Sequence, residues 1–226
     1  MPQIYRIQKR KGFFGFNVNL LLIIINIVCF ILFSFLIYAN ANFLDYIALK
    51  PSNIINELYL WTFLTSMFMH AGFFHIFANM LSLLFVGSFV ERILGKKRYL
   101  AFYLLAGLFA GIFFVFVSFI LANFFNYSGD FNTYAVGASG AIFGLIGLLM
   151  VLTPNLPVYI MFIPIPIKMK YAAPAMLIVL WLISIFGNVP VGNTAHLGGF
   201  VIGLIYGFYL RKRYKNKTRY ISRLFS

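Results

Sequence analysis

The chain has 226 residues, 62% hydrophobic and 20% aromatic, and its 10% charged residues fall far below the roughly 25% of an ordinary soluble domain. Lipid must therefore solvate most of it, and the net charge of +14, gathered at the ends of apolar runs, describes membrane topology rather than a nucleic-acid surface. One cysteine, Cys29, excludes an internal disulfide or a cysteine-based metal site and reads as filler in a lipid-embedded helix.

Along the chain, Arg6, Lys9, Arg10 and Lys11 precede the first apolar run, which lacks a small-residue cleavage pattern and so predicts a retained anchor. About 20 apolar residues cross the hydrocarbon core as a helix. On that measure six spans are expected, at 17–38, 73–91, 99–121, 137–152, 172–187 and 195–210. The connection 39–72 carries Asp45, Lys50, Glu57 and Trp61 among apolar residues, which predicts a segment lying in the membrane interface. The fourth and sixth spans are short, about 24 Å of helix against a core of about 30 Å. A short span can begin beneath a water-filled dip. Between the fourth and fifth, the segment 153–170 holds Pro154, Pro157, Pro164 and Pro166, too many for a continuous helix.

With six spans, every basic residue except Lys50 falls on one side, so the positive-inside rule puts both termini in the cytoplasm. The expected fold is an all-α membrane protein, a six-helix bundle. It divides into a basic tail 1–16, a membrane domain 17–210, and a basic tail 211–226 suited to anionic lipid. The lack of an organelle-targeting segment points to a multi-pass protein of a prokaryotic plasma membrane.

Polar residues inside a membrane need a reason. All three histidines, His70, His75 and His196, lie at the external ends of even-numbered spans, and Asn79 follows His75 by one helical turn on the same face. Ser139 opens the fourth span. Spans two, four and six run from outside to inside, so topology allows His75, Asn79, Ser139 and His196 to meet at one depth. A serine hydroxyl needs a base to accept its proton, and neutral histidine is the usual one near pH 7. Asn amides, a His N–H and the free N–H groups of a helix start can stabilise the resulting oxyanion. The acids Asp45, Glu57 and Asp130 fall in external loops and Glu91 at the cytoplasmic end of span two, so a Ser–His dyad fits better than a triad.

Small-residue runs also have a plainer reading. Gly137, Ala138, Ser139 and Gly140 with Gly144, and Gly199, Gly203 and Gly207 after His196, are typical of closely packed membrane helices, and either run alone favours packing. The G-x-S-x-G elbow of soluble hydrolases is absent, since residue 141 is Ala. Glycines that join spans four and six would nonetheless bring Ser139 near His196.

Taken together, "HAGFFHIFANM" at 70–80, "GASGAIFG" at 137–144 and "AHLGGFVIG" at 195–203 resemble the rhomboid family of intramembrane serine proteases, over about residues 17–210. The resemblance implies Ser139 as nucleophile, His196 as general base and then acid, and His75 with Asn79 at the oxyanion beside the Ser139 backbone N–H. It implies that Phe143 packs its ring on the catalytic histidine and that Gly199 and Gly203 make the close contact between spans six and four. Glu91, Arg92 and Gly95 then end span two as a structural signature, and His70 supports the external loop. One departure is visible: many relatives have Trp-Arg in the first external loop, whereas Thr62 follows Trp61 here, which bears on how that loop is pinned. Inactive relatives lose the serine or the histidine, and this chain keeps both.

The implied activity is cleavage of transmembrane-anchored proteins near the outer membrane face, with lateral access near span five and with 188–194 and the first external loop as gating parts. The expected partners are transmembrane protein substrates and membrane lipid, with no nucleic acid and no obligate protein partner. No cofactor or metal is expected, because H-E-x-x-H is absent and no carboxylate accompanies the histidines. Two rivals are a transporter, which would call for intramembrane acids or a discontinuous helix pair, and a non-catalytic scaffold that binds membrane helices through glycine faces and has no need of Ser139.

Overall fold

The structure, a computed structural model, describes residues 17–159, 165–187 and 192–225. The N-terminal basic residues, Pro164 and positions 188–191 lie outside them. Helix α1 (Val18–Ala39) is followed by three short helices within the 39–72 connection, α2 (Phe43–Ile47), α3 (Pro51–Glu57) and α4 (Thr62–Thr65). Next, α5 (Phe73–Ser82), a π-helical turn (Leu83–Gly87) and α6 (Ser88–Leu94) form one continuous rod. Then come α7 (Lys96–Phe124), α8 (Ser139–Leu152), α9 (Met169–Gly187), α10 (Asn193–Arg213) and α11 (Lys215–Arg223). A two-residue antiparallel hairpin, Pro157–Val158 against Ile167–Lys168, sits in the proline-rich connection before α9.

The chain is thus mostly helical, and among the described residues four rods are long and apolar enough to cross a membrane: α1, Phe73–Leu94, α7 and α9. The fourth expected span appears as α8, shorter and apolar, and the sixth as α10. Helix α8 is the centre of the bundle, with every residue from Gly140 to Leu152 buried except Met150. Two of its neighbours approach it through small side chains. Ala110 and Ala106 of α7 face Gly140 and Gly144. On α10, a Cβ at Gly199 would collide with the Gly140 carbonyl, and one at Gly203 with the Gly144 carbonyl. This seam sets α8 and α10 at backbone contact. Helices α1 and α9 lie outside it and expose large apolar residues such as Ile31, Phe35, Ile178 and Ile185, as a lipid-facing layer would.

At the end of the bundle where α1 begins, here called the foot, hydrogen bonds replace glycine. Asn17 caps α1 by accepting from the Leu20 N–H at 3.2 Å. The Glu91 carboxylate accepts from the N–H groups of Val18 (3.1 Å) and Asn19 (2.9 Å), two donors that the first turn of a helix cannot satisfy itself. Asn19, fully buried, donates to the Leu83 carbonyl (2.7 Å) and Ser88 Oγ (3.0 Å) and accepts from the Tyr99 hydroxyl. The π-helical turn widens the backbone ladder at that point and offers the Leu83 carbonyl to this network. Glu91 is therefore an architectural residue, as its place in the motif implied.

The 39–72 connection folds as short helices pinned by aromatic stacking. The Trp61 ring lies on Tyr59 (4.9 Å), which lies on Tyr46 (5.2 Å), while Trp61 Nε1 donates to the Tyr46 carbonyl at 2.9 Å. Thr62, the residue after Trp61 at which the family resemblance implied an arginine, is fully buried and donates to the Tyr59 carbonyl at 2.7 Å. Thr65 donates to Ile47 O at 2.7 Å. Short hydroxyl bonds to backbone thus pin this loop at Thr62 and Thr65.

Candidate active site

Ser139 is the first residue of α8, and His196 the fourth of α10. Directly below them the Gly199–Gly140 contact fixes the distance between the two helices. Ser139 Oγ and His196 Nε2 are 2.7 Å apart, a hydrogen bond between residues 57 positions distant in sequence. One turn into α8, the Phe143 ring stacks on the His196 imidazole at 4.7 Å and 27°, which restricts the plane in which that ring can turn. His196 is buried, and its Nδ1 has no hydrogen-bond partner among the described residues. Three of the four acids are engaged elsewhere: Glu91 at the foot, Asp45 with Tyr134, and Asp130 with Thr194 Oγ1 at 3.4 Å.

His75 is the third residue of α5. Its Nδ1 accepts from the Ala71 N–H at 3.4 Å, which makes Nε2 the protonated nitrogen. The ring lies against Gly137, the residue two before Ser139. A Cβ there would come within 2.8 Å of His75 Nε2 and 3.7 Å of Ser139 Oγ. Gly137 also has φ +114°, so glycine is required on both counts. Asn79, one turn below His75, is buried, and its Nδ2 donates to the His75 carbonyl at 2.7 Å. One amide hydrogen is thereby turned back onto its own helix, and the second is free to point into the site. The first N–H groups of α8 have no partner within the helix, because the ladder starts with Ile142 N–H to Ala138 O. The start of α8, the His75 imidazole and the Asn79 amide all line the cavity that holds the serine hydroxyl.

Ser139, His196, His75 and Asn79 line one cavity of about 2160 Å³. The same cavity is lined by Ser82, Phe85 and Val86 of the rod Phe73–Leu94, by Met176, Val179 and Ile183 of α9, and by the hairpin at Val158 and Ile167. His70 lines the same cavity, buried, with its ring 5.2 Å from that of His75. Burial, helped by neighbouring His75, pulls its pKa down to about 3, so it is uncharged at neutral pH. Among the described residues no three His, Cys, Asp or Glu side chains converge as metal ligands would.

Of the sequence-named candidates, Ser139, His196, His75, Asn79, Phe143, Gly137 and Gly140 gather at one end of the bundle, and Gly199 and Gly203 continue the α8–α10 seam away from it. Asp45 and Tyr134 were not singled out for this site, yet the Tyr134 hydroxyl donates to Asp45 Oδ1 at 2.7 Å just upstream of the serine. The available signal was an acid in a largely apolar loop together with a tyrosine at the head of the serine motif.

Comparison with known proteins places these features in context. A family model described as Rhomboid domain matches residues 57–213. RHOMBOID-like protein 1 of Arabidopsis thaliana is 38% identical over 164 residues, covering 71% of this chain and 37% of that protein. Rhomboid protease GluP of Bacillus subtilis is 33% identical over 159 residues, 68% of this chain and 27% of that protein. Inactive RHOMBOID-like protein 8 of Arabidopsis thaliana is 32% identical over 146 residues, 63% of this chain and 36% of that protein. The chain spans about half the length, or less, of the curated relatives it matches.

Proposed function

The chain belongs to the rhomboid family, and on that premise we propose that it is an intramembrane serine endopeptidase that works through a Ser139–His196 dyad. The observation that carries this reading is the 2.7 Å contact between Ser139 Oγ and His196 Nε2. In the proposed reaction His196 Nε2 takes the Ser139 proton as Oγ attacks the scissile carbonyl carbon. The imidazolium then passes that proton to the leaving amine, and an acyl-enzyme remains. A water molecule attacks the ester carbonyl, with His196 again accepting a proton, and the return of that proton to Ser139 releases the new carboxylate. The oxyanion of each tetrahedral intermediate is met by the N–H groups at the start of α8, by His75 Nε2–H and by the free amide hydrogen of Asn79. Phe143 holds the imidazole plane while its charge changes.

The substrates are transmembrane proteins, and the cavity lined by both the rod Phe73–Leu94 and α9 supports lateral access of an unwound segment to Ser139. With α8 and α10 counted as spans there are six, both termini are cytoplasmic, and the site opens on the outer face of a cell membrane. The domain assignment follows: tails 1–16 and 211–226 flank a protease domain 17–210. Purified Ser139→Ala beside wild type, on a synthetic transmembrane substrate, tests the reading. Cleavage and fluorophosphonate labelling both vanish in the variant if it is right, and unchanged cleavage would remove Ser139 from its role. The rival reading, a non-catalytic scaffold, draws on the likeness to a relative named inactive, and it requires wild type to give neither signal.

A further inference from the structure

Ser139 opens α8, so no preceding helical turn positions it; its place is inherited from the non-helical residues 133–137. Backbone bonds tie this stretch and its approach to the 39–72 connection. Leu49 and Ala135 exchange N–H···O bonds at 3.1 and 2.8 Å, Ser52 N–H donates to Phe131 O at 3.0 Å, and Gly137 N–H donates to Ser66 O at 2.8 Å. Among the described residues one side-chain hydrogen bond joins the same two segments, from the Tyr134 hydroxyl to Asp45 Oδ1 at 2.7 Å. The same oxygen accepts from Asn53 Nδ2 at 2.9 Å and lies 3.7 Å from Lys50 Nζ, whose ammonium sits 5.0 Å above the Tyr134 ring. One carboxylate thus gathers α2, α3 and the run into the nucleophile.

We propose that Tyr134 and Asp45 are positioning residues for Ser139: their hydrogen bond latches 133–137 onto the 39–72 connection and so trims the place of Ser139 Oγ within the helix spacing that the Gly199–Gly140 seam sets. This rests on the protease reading above. The pair is charge-assisted and short, the stronger class of hydrogen bond. Bonds from Tyr134 and Asn53 hold the Asp45 carboxyl below its usual range, and burial together with Asp45 pushes the Tyr134 hydroxyl up to about 12, so the phenol–carboxylate form persists across physiological pH. Two residues separate the latch from Gly137, and Ala138 alone separates Gly137 from the serine. Releasing the latch leaves the backbone bonds in place. The expected consequence is a nucleophile displaced by a fraction of an ångström, not an unfolded loop, and displacements on that scale cost on the order of tenfold in rate.

The test uses the 226-residue chain in dodecylmaltoside micelles, with wild type, Tyr134→Phe, Asp45→Asn, the double variant and Asp45→Glu acting on a fluorogenic transmembrane peptide. The latch predicts that kcat falls about tenfold in each single variant with KM within about twofold, that the double variant is no slower than either single one, and that Asp45→Glu recovers part of the rate. Hydrogen exchange over 133–139 rises in Tyr134→Phe and Asp45→Asn, while the other helices keep their protection. Unchanged kcat, additive losses, or unaltered exchange over 133–139 overturns the proposal. An inactive wild type would instead sink the protease reading, and the exchange data would still decide whether the latch exists.

Discussion

A carboxylate ties the chain together at each end of the bundle. Glu91, buried at the foot, spends both oxygens on the N–H groups that open α1 and stands beside the Asn19–Ser88–Tyr99 network. Asp45, part-exposed near the site, holds Tyr134 and Asn53 on the approach to Ser139. Desolvation decides the difference. Loss of a buried acceptor leaves helix donors unsatisfied with no water to replace it, whereas loss of a part-exposed one is softened by solvent. The foot should therefore govern stability and the site end should govern rate.

The sharpest way to break this division is at glycine. Gly199→Val would drive a branched side chain into the Gly140 carbonyl and part α8 from α10. Cleavage should fall by at least about 10²-fold, since a misplacement near 1 Å costs that much. Retained cleavage in a kinetic assay would mean that the seam does not set the dyad distance. Next in size is Asn79→Ala, where loss of one oxyanion donor should lower kcat by about 10²–10³ with KM nearly constant. Equal turnover would leave the oxyanion to His75 and the α8 N–H groups alone. At the foot, Glu91→Gln keeps one acceptor and removes the charge, and should cost about 1.5–3 kcal/mol in detergent unfolding while kcat per folded molecule stays within twofold. A matching loss of kcat would show that the two ends are coupled.

The last prediction concerns pH. His70 faces His75, and its folded pKa of about 3 lies below the ordinary 6.5, so the folded state favours the neutral ring. Stability should then fall as pH drops below about 6.5 and continue to fall toward pH 3. His70→Gln should flatten that limb in thermal unfolding, and a limb identical to wild type would assign it to other groups.

Much of the candidate site was legible because membranes make polar residues conspicuous. Three histidines, one asparagine and one serine at the starts of alternate helices stand out against so apolar a background. Their convergence also needed little geometry beyond the alternation of chain direction. The latch and the foot were less visible. Asp45 and Tyr134 are 89 residues apart, and Asn19 and Tyr99 are 80 apart, with no period or spacing to link them. The aromatic stack that carries Thr62 in place of an arginine was equally hidden, since Tyr46, Tyr59 and Trp61 come together only when α2 and α4 fold against each other.

By itself the sequence determined that lipid is the solvent, where the apolar helices run, and which residues are chemically able to act, because composition and hydropathy are local properties of the chain. Tertiary structure alone decided that Gly199 seats on the Gly140 carbonyl, that Ser139 and His196 come within 2.7 Å, and that Tyr134 reaches Asp45. Those outcomes depend on the register at which helices and loops distant in sequence pack, and that register is set by shape and hydrogen bonding between segments, which no single segment encodes.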